Sequence, residues 1–280
     1  MSDAAAPIPA TRHDGAATSG DGPGGPPIVV LIDYDGTIAR SDVSDEVMWR
    51  FASREAWAPL EAAYLRGEIG SRTLLSRQAA LLHGRTQEIA SIGDDQAFDP
   101  HFESFVAYLG TARIGIEVVS DGFGFFVGPS LDRVGLGALP VFTARTTIEP
   151  DGVAIAFPDG HPVCRVCGTC KRERILVHQR AGRHVVFVGD GFSDLYAANH
   201  ADTLFAKDHL AEICADRGWP FRGWRTFADV QADLDQLLAD GVPPPATRPF
   251  ICGPEVWPAG TLEPLWDRPP APRTAAVAGD

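Results

Sequence analysis

The sequence predicts an α/β fold, in which a parallel sheet has helices on both faces and a helical segment is inserted after the first strand. Short apolar runs alternate with helix-like segments over most of the chain, and parallel strands need helical crossovers of this kind. Residues 44–110 break the alternation, because they contain only helical patterns. With 280 residues, 45% of them apolar, the chain is long enough for one large domain with such an insertion.

The predicted sheet begins at residues 28–32, a continuous apolar run typical of a strand that is buried on both faces. Similar runs predict further strands at residues 114–119, 185–188 and 203–205. Helical patterns lie at residues 171–181, 193–200, 208–217 and 226–238. Residues 139–157 include a turn at Asp151-Gly152, which predicts an antiparallel pair at the margin of the sheet. We therefore predict an α/β core formed by residues 28–40 and 111–240.

The segment 41–110 is predicted to form a helical cap over the edge of the sheet at which ligands bind. Its helical patterns lie at residues 44–51, from Pro59 onward, at 71–83 and at 101–109. The last pattern has an apolar stripe at helical spacing, which we interpret as the buried face of a cap helix. The stripe consists of Phe102, Phe105, Val106 and Leu109.

Both ends of the chain are rich in proline and lack long periodic segments. Residues 1–27 are predicted to be a disordered leader. Residues 241–280 are predicted to be a Pro-rich tail, with Trp257 and Trp266 packing back onto the body of the protein.

The formal net charge of −13 at pH 7 is not offset by any local cluster of Lys or Arg. Nucleic acid and acidic membrane surfaces are therefore not expected as partners, and no apolar run approaches the length of a membrane span. The five cysteines do not form a disulfide framework, so we expect a reducing cytoplasm. None of these features predicts an oligomeric state.

Polar side chains follow the predicted strands at the points where the strands end. They are Asp33, Asp35, Ser120, Asp190 and Asp194, and Lys171 begins a predicted helix. Because the carboxyl ends of parallel strands meet at one edge of a sheet, we expect these groups to lie close together. Carboxylates at one point repel one another unless a cation sits among them, and oxygen ligands suit Mg²⁺.

A phosphate ester is the substrate class that fits these groups. Mg²⁺ and Lys171 supply the positive charge that the chain otherwise lacks, and Ser120 and the amides after Asp35 supply hydrogen-bond donors. Asp33 can attack phosphorus, while Asp35 can protonate the leaving oxygen and later activate water.

Four segments resemble, in order, the motifs of the haloacid-dehalogenase-like phosphatases. They are residues 28–37, an apolar strand followed by Asp33-Tyr34-Asp35-Gly36-Thr37; Val118-Val119-Ser120-Asp121-Gly122; Lys171; and Gly189-Asp190-Gly191-Phe192-Ser193-Asp194. The resemblance implies a Rossmann-like core, with a helical cap of the phosphoserine-phosphatase-like branch.

The same resemblance implies roles for individual residues. Asp33 would form an aspartyl-phosphate, with Asp35 as acid and base. Phosphate contacts would come from Gly36, Ser120, Asp121, Gly122 and Lys171. Mg²⁺ would be held by Asp33, the backbone carbonyl of Asp35 and Asp190, with Asp194 near the metal or orienting Lys171.

Two positions bear on the substrate, which is expected to be a small phosphorylated metabolite. Asp42 falls where phosphoserine phosphatases carry an acidic residue for the substrate amine. Gln78, with Arg77 beside it, takes the place of the arginine that binds the substrate carboxylate. A carboxylate without that cation would be left unpaired, which disfavours phosphoserine.

Segments 120–127, 167–171 and 204–210 resemble the subfamily of 2-hydroxy-3-keto-5-methylthiopentenyl-1-phosphate phosphatases of methionine salvage, except that Asp121 replaces a glycine. This resemblance implies a magnesium-dependent phosphatase of that substrate. The alternatives are a phosphoserine or phosphocholine/phosphoethanolamine phosphatase, and a non-catalytic relative that acts as a binding module.

Three cysteines, Cys164, Cys167 and Cys170, have the spacing of metal ligands, and His161 could be a fourth ligand. A structural zinc site usually joins two separated clusters, and the sequence offers one. Free thiols in the loop before Lys171 are therefore the competing interpretation.

Overall fold

Seven strands form a single sheet in the computed structural model, which describes residues 27–244 and 248–252. The strands are β1 (Ile28–Ile32), β2 (Gly115–Phe123), β3 (Val141–Glu149), β4 (Gly152–Ala156), β5 (His184–Gly189), β6 (Thr203–Ala206) and β7 (Arg222–Gly223). Their spatial order is β4-β3-β2-β1-β5-β6-β7. β3 and β4 are antiparallel, and the other neighbouring strands are parallel. The predicted strands and the marginal antiparallel pair are confirmed, whereas β7 was not predicted.

The helices in the described part of the chain lie between and after these strands. They are α1 (Val43–Phe51), α2 (Arg54–Leu65), α3 (Ser71–Ala79), α4 (Thr86–Ala90), α5 (Phe102–Ala112), α6 (Gly124–Arg133), α7 (Lys171–Arg180), α8 (Leu195–His200), α9 (Asp208–Asp216) and α10 (Phe227–Asp240). Among the described residues, no helix combines the length and apolar character needed to cross a bilayer. The predicted leader and most of the predicted tail, including Trp257 and Trp266, lie outside the described residues.

The central strand β1 is covered on both faces, as its continuous apolar run predicts. Val30 and Ile32 pack in one buried cluster, with residues of the segment between β1 and β2 and of α10. Val29 and Leu31 pack in a second cluster, with residues of α7, α8 and α9. Alternate side chains of a strand point to opposite faces, so the two clusters lie on opposite sides of the sheet.

Several helices differ from their predicted bounds or, like α4 and α6, were not predicted. α2 begins at Arg54, not at Pro59, which lies inside the helix. Because proline has no backbone N–H, one carbonyl near the exposed first turn lacks its helical hydrogen-bond partner. α3 ends at Ala79, before residue 83. α6 was not predicted because glycine and proline weaken its helical pattern, yet a Cβ at Gly124 would lie 2.3 Å from the carbonyl oxygen of Ala144.

α5 was predicted to be a cap helix, but in the structure it packs against α10 of the core. The rings of Phe102 and Phe105 each lie 5.1 Å from the ring of Phe227 at the start of α10. The Tyr108 hydroxyl donates a hydrogen bond to Asp235 on the same helix. The apolar stripe of α5 is therefore buried, as predicted, but against α10. The division of the chain into a core and a cap at residues 41–110 stays a prediction.

An ion pair holds α7 to the sheet. The Arg174 guanidinium donates three hydrogen bonds to the Glu117 carboxylate on β2, and Arg174 Nη2 lies 2.6 Å from Glu117 Oε1. His178 Nε2 lies 3.1 Å from the same oxygen. Charged groups that are paired and hydrogen-bonded can be buried at a modest cost. This contact fixes the helix that begins with Lys171.

Candidate active site

The carboxyl end of β1 places Asp33 at the centre of the sheet edge. Its backbone N–H donates to the Val188 carbonyl at 3.0 Å, so Asp33 continues the pairing of β1 with β5. The chain then turns sharply through Asp35, with extended backbone, and Gly36, with φ of 68°. A positive φ of this size favours glycine. The turn brings the Asp33 carboxylate and the backbone after it to the same edge.

Lys171 reaches the Asp33 carboxylate from the first turn of α7. Its Nζ lies 2.7 Å from Asp33 Oδ1 and 2.6 Å from Asp194 Oδ1, and it donates to Ser193 Oγ at 3.2 Å. All three charged side chains are buried. Burial alone would lower the pKa of Lys171, but Asp194 and Asp33 outweigh it and hold the pKa above its usual range. The lysine therefore stays cationic.

Asp33, Asp190 and Asp194 form an acidic cluster in which each residue offers an oxygen, and these oxygens lie within 4.8 Å of one another. Burial, followed by repulsion from Asp194, raises the pKa of Asp33 well above its usual value, although Lys171 opposes this shift. The same two causes raise the pKa of Asp190 to about 7. Thr37 Oγ1 donates to Asp190 Oδ1 at 2.6 Å.

This cluster fits a hard divalent cation. All of its donors are oxygens, and the mutual repulsion that raises the carboxyl pKa values is what a cation would offset. A Cβ at Gly36 would lie 2.2 Å from Asp190 Oδ2, so the backbone after Asp35 approaches this carboxylate as closely as glycine allows. Both oxygens of Asp194 are already engaged, one by Lys171 and the other by the amides of Asp190 and Gly191.

Asp35 lies beside the cluster with its carboxylate directed to the start of α1. It accepts hydrogen bonds from Val43 N at 2.9 Å and Ser44 Oγ at 3.2 Å. Burial, followed by repulsion from Asp42, raises the pKa of Asp35 well above its usual value. A raised pKa favours the protonated form of the carboxyl group, which a general acid requires.

Ser120 and Gly122 come to the same point from the end of β2. Ser120 is fully buried, and its Oγ accepts a hydrogen bond from Gly122 N at 3.2 Å. A Cβ at Gly122 would lie 2.5 Å from Asp35 Oδ2 and 3.2 Å from Ser120 Oγ. The structure therefore brings these two residues together with Asp35.

Asp121 differs from the expected phosphate contact, because its side chain is used elsewhere. Ser71 Oγ donates to its Oδ2, and Thr169 N donates to its Oδ1 at 2.9 Å. A carboxylate engaged on both oxygens has no donor to offer and repels an anion. The carboxylate of Asp121 is therefore not suited to bind phosphate.

The three residues expected to affect specificity lie in different surroundings. Asp42 caps α1, accepting from Asp45 N at 2.8 Å. Asp42 is exposed; a partial loss of hydration, followed by repulsion from Asp45, raises its pKa to about 6. Gln78 is buried, and its Oε1 has no hydrogen-bond partner in the described part of the chain. Arg77 is exposed at the end of α3.

The cysteine segment forms the loop before α7. Cys164, Cys167 and Cys170 are free thiols, and His161 Nδ1 accepts from Cys164 N at 2.9 Å. Burial, and then Asp121 and the thiols of Cys170, Cys252 and Cys164, raise the pKa of Cys167 well above its usual value. Cys252, distant in sequence, therefore lies near this segment. Within residues 27–244 and 248–252, the thiols are not among the groups whose ligand atoms all lie within 4.8 Å of one another.

Zinc binding by these thiols stays a prediction. Elemental analysis of gently purified protein should find about one zinc per chain if the cysteines form a structural site. A content well below that would exclude the zinc interpretation and leave free thiols.

Tyr64 on α2 was missed by the sequence analysis. Its ring packs edge-on against Phe192 in the fourth motif, with ring centroids 5.3 Å apart. Burial, followed by the charge of Asp121, raises the pKa of Tyr64 above its usual value. A tyrosine within an amphipathic helix carries no signal of such a position, since only the packing of α2 against the sheet edge creates it.

Three comparisons with known proteins agree with this arrangement. The model of the family described as Putative Phosphatase matches residues 28–223. A 2-hydroxy-3-keto-5-methylthiopentenyl-1-phosphate phosphatase from Bacillus pumilus (strain SAFR-032) is 30% identical over 213 residues, covering 75% of this chain and 91% of the relative. The Bacillus cereus (strain G9842) protein of the same name is 28% identical over 218 residues, covering 75% of this chain and 97% of the relative.

Solved structures share the fold. A phospho-aspartyl intermediate analogue of phosphoserine phosphatase has a TM-score of 0.57 at 17% identity, covering 77% of this chain and 99% of that chain. A substrate-bound phosphoserine phosphatase complex has a TM-score of 0.56 at 18% identity, covering 76% of this chain and 98% of that chain. Since the family model spans most of the chain and the relatives are covered almost completely, the chain belongs to the Putative Phosphatase family and is itself a phosphatase.

Proposed function

We propose that this phosphatase hydrolyses a small phosphomonoester through an aspartyl-phosphate on Asp33, with Mg²⁺ as its cofactor. The observation that carries the proposal is the pairing of the buried Asp33 carboxylate with Lys171 Nζ at 2.7 Å, beside Asp190 and Asp35. A nucleophile, a fixed cation and an acid are thereby within reach of one phosphoryl group.

Mg²⁺ would be held by the Asp33 and Asp190 carboxylates and the backbone carbonyl of Asp35. When bound, it supplies positive charge to the phosphate oxygens and offsets the repulsion among the carboxylates. Asp194 would orient Lys171, because its oxygens already accept from that lysine and from two backbone amides.

The reaction follows from the positions of the side chains. An Asp33 oxygen attacks phosphorus, the bond between phosphorus and the leaving oxygen breaks, and that oxygen takes the proton of Asp35. Asp35 then accepts a proton from water, whose oxygen attacks phosphorus and releases Asp33 and inorganic phosphate. Lys171 and Ser120 hold the phosphoryl oxygens during both steps. The raised pKa of Asp35 favours the protonated form needed first.

Removal of divalent cations should abolish hydrolysis of para-nitrophenyl phosphate. The carboxylate cluster alone repels a phosphate dianion, and only the cation reverses the sign of that interaction. Activity is measured after dialysis against a chelator and again after addition of Mg²⁺, which should restore it. Full activity in the continued presence of chelator would contradict the cofactor assignment.

The favoured substrate is 2-hydroxy-3-keto-5-methylthiopentenyl-1-phosphate, for which the relatives are named. Phosphoserine is disfavoured because the buried Gln78 stands where an arginine is needed, and Arg77 is exposed. Phosphocholine or phosphoethanolamine is the second candidate, since Asp42 lies near two further acids, Asp45 and Glu61. A panel of ketose-1-phosphates, phosphoserine and amino-alcohol phosphates, read by phosphate release, decides among them.

The Gly36→Ala substitution should lower Mg²⁺ affinity and turnover by about 10- to 100-fold, the range typical of disturbed ligand orientation. The added Cβ would lie 2.2 Å from Asp190 Oδ2, in a backbone conformation with φ of 68°. Gly191→Ala is the matched control in the fourth motif, because its Cβ would meet nothing within 4 Å. Equal effects of the two substitutions on the Mg²⁺ dependence of turnover would contradict the role of Asp190.

We also propose a cytoplasmic location, which rests on the cysteine content of the sequence. The remaining alternative, a non-catalytic binding module, is disfavoured by the convergence of the acidic cluster with Lys171 and Ser120.

A further inference from the structure

The carboxylate of Asp121 joins three parts of the chain that are distant in sequence. Asp121 lies near the end of β2, Ser71 is the first residue of α3, and Thr169 lies in the loop before α7. Ser71 Oγ donates to Oδ2 of Asp121, and Thr169 N donates to Oδ1 at 2.9 Å. Ser71 and Thr169 are buried, with 5% and 1% of their surfaces exposed. Hydrogen bonds to a charged acceptor in such surroundings are among the stronger ones in proteins.

The start of α3 also contacts the loop directly. Gly168 N donates to Ser71 Oγ at 3.2 Å, and Arg72 N donates to the Val166 carbonyl at 3.1 Å. A Cβ at Gly70 would lie 2.1 Å from the Val166 oxygen, and one at Gly168 would lie 2.7 Å from Asp121 Oδ1. Neither position has room for a larger residue. The first turn of α3 is therefore seated closely on residues 166–169.

The same loop delivers Lys171 to the active site. Thr169 is two residues before Lys171, which begins α7 and whose Nζ lies 2.7 Å from Asp33 Oδ1. A hydrogen bond that fixes the amide of Thr169 consequently fixes the start of α7. Because this amide bonds to Asp121, the position of Lys171 depends on the carboxylate that also holds α3.

We propose that Asp121 is a positioning residue, which couples the seating of α3 in the helical insert to the placement of Lys171 at Asp33. Its catalytic consequence rests on the proposed function, whereas its structural consequence does not. Aspartate suits this role because its two side-chain oxygens accept hydrogen bonds from Ser71 and Thr169 at the same time.

The structural consequence is tested by hydrogen exchange in the full chain. Ser71→Ala removes both bonds of the Ser71 hydroxyl, the one donated to Asp121 and the one accepted from Gly168 N, and leaves the carboxylate of Asp121 in place. We expect amide exchange to rise severalfold in residues 166–171 as well as in the start of α3, because the two segments open together. Ser76→Ala is the matched control, since its exposed hydroxyl bonds only within α3. Unchanged exchange in residues 166–171 of Ser71→Ala would overturn the proposal.

The catalytic consequence is tested by steady-state kinetics well below the melting temperature. Asp121→Ala should lower kcat for para-nitrophenyl phosphate by about tenfold or more, since misplacing a catalytic group costs at least that much. Asp121→Asn, which can still bond to both partners, should retain most of kcat. Adding Ser71→Ala to Asp121→Ala should cause little further loss, as residues in one network are not additive.

The outcomes separate the two claims. A lower melting temperature of Asp121→Ala with unchanged kcat would reduce Asp121 to a structural role and overturn the proposal. If the unaltered protein releases no phosphate from any substrate, the proposed function fails, and the exchange measurement alone then decides whether α3 and the Lys171 loop are coupled.

Discussion

The Asp33→Asn variant should lose turnover of para-nitrophenyl phosphate in the presence of Mg²⁺ by a factor on the order of 10⁴ or more, as expected for removal of a nucleophile. The amide is close in shape to the carboxylate but has neither its charge nor its nucleophilicity. It also replaces one oxygen of the acidic cluster and the partner of Lys171. Three functions of one side chain are thereby removed by a nearly isosteric change.

The matched control for this substitution is Asp216→Asn, an aspartate-to-asparagine change at an exposed position at the end of α9. The control should keep full activity, and thermal unfolding should show that both variants are folded. Near-normal turnover by folded Asp33→Asn would refute the assignment of the nucleophile.

The Lys171→Met variant should lose both activity and stability. The side chains are similar in length, but the methionine leaves the buried carboxylates of Asp33 and Asp194 without their cation. Removing one partner of a buried ion pair costs about 3–5 kcal/mol of unfolding free energy. Turnover should fall by about a thousandfold, since Lys171 is the protein's own positive charge at the phosphoryl group.

Lys171→Arg separates charge from position. The guanidinium keeps the positive charge but is planar and longer, so it cannot reproduce the contacts of Nζ. We expect it to recover part of the lost unfolding free energy and little of the turnover. Activity close to that of the unaltered protein in Lys171→Met would show that Lys171 does not contact the phosphoryl group, whereas in Lys171→Arg it would show that the positive charge alone is sufficient.

The central sheet and the residues at its edge were predictable for a physical reason. A strand buried on both faces must be apolar throughout, so β1, β2, β5 and β6 stand out as short apolar runs. Parallel strands end at one edge, which is why the sequence predicts that Asp33, Ser120 and Asp190 meet there. The distances between them, and the contact of Lys171 with Asp33, required the structure.

The periodicity of apolar residues predicted which face of a helix is buried, but not the element against which that face packs. The stripe that includes Phe102 and Phe105 was assigned to a cap helix, and the structure packs it against Phe227 of α10. α6 was not predicted because its sequence contains a glycine, which disfavours helices. That glycine, Gly124, is required by its close contact with Ala144. In both cases a tertiary contact decided what the local pattern left open.

Side-chain direction was the least predictable feature. The resemblance to the haloacid-dehalogenase-like motifs implied a phosphate contact for Asp121, yet its carboxylate points to Ser71 and Thr169. Cys252 lies near the loop before Lys171, and Tyr64 packs against the fourth motif, only because the fold brings them there. No spacing in the sequence connects these residues, so no motif could have indicated them.

The most direct test of the aspartyl-phosphate mechanism is to trap the intermediate in the Asp35→Asn variant. With para-nitrophenyl phosphate, the leaving group needs no proton, so Asp33 should still be phosphorylated, whereas water is no longer activated. Mass spectrometry of the acid-quenched, digested protein should then find the mass of one phosphoryl group on Asp33. Continued release of nitrophenolate with an unmodified Asp33, or a phosphoryl group on another residue, would contradict the mechanism.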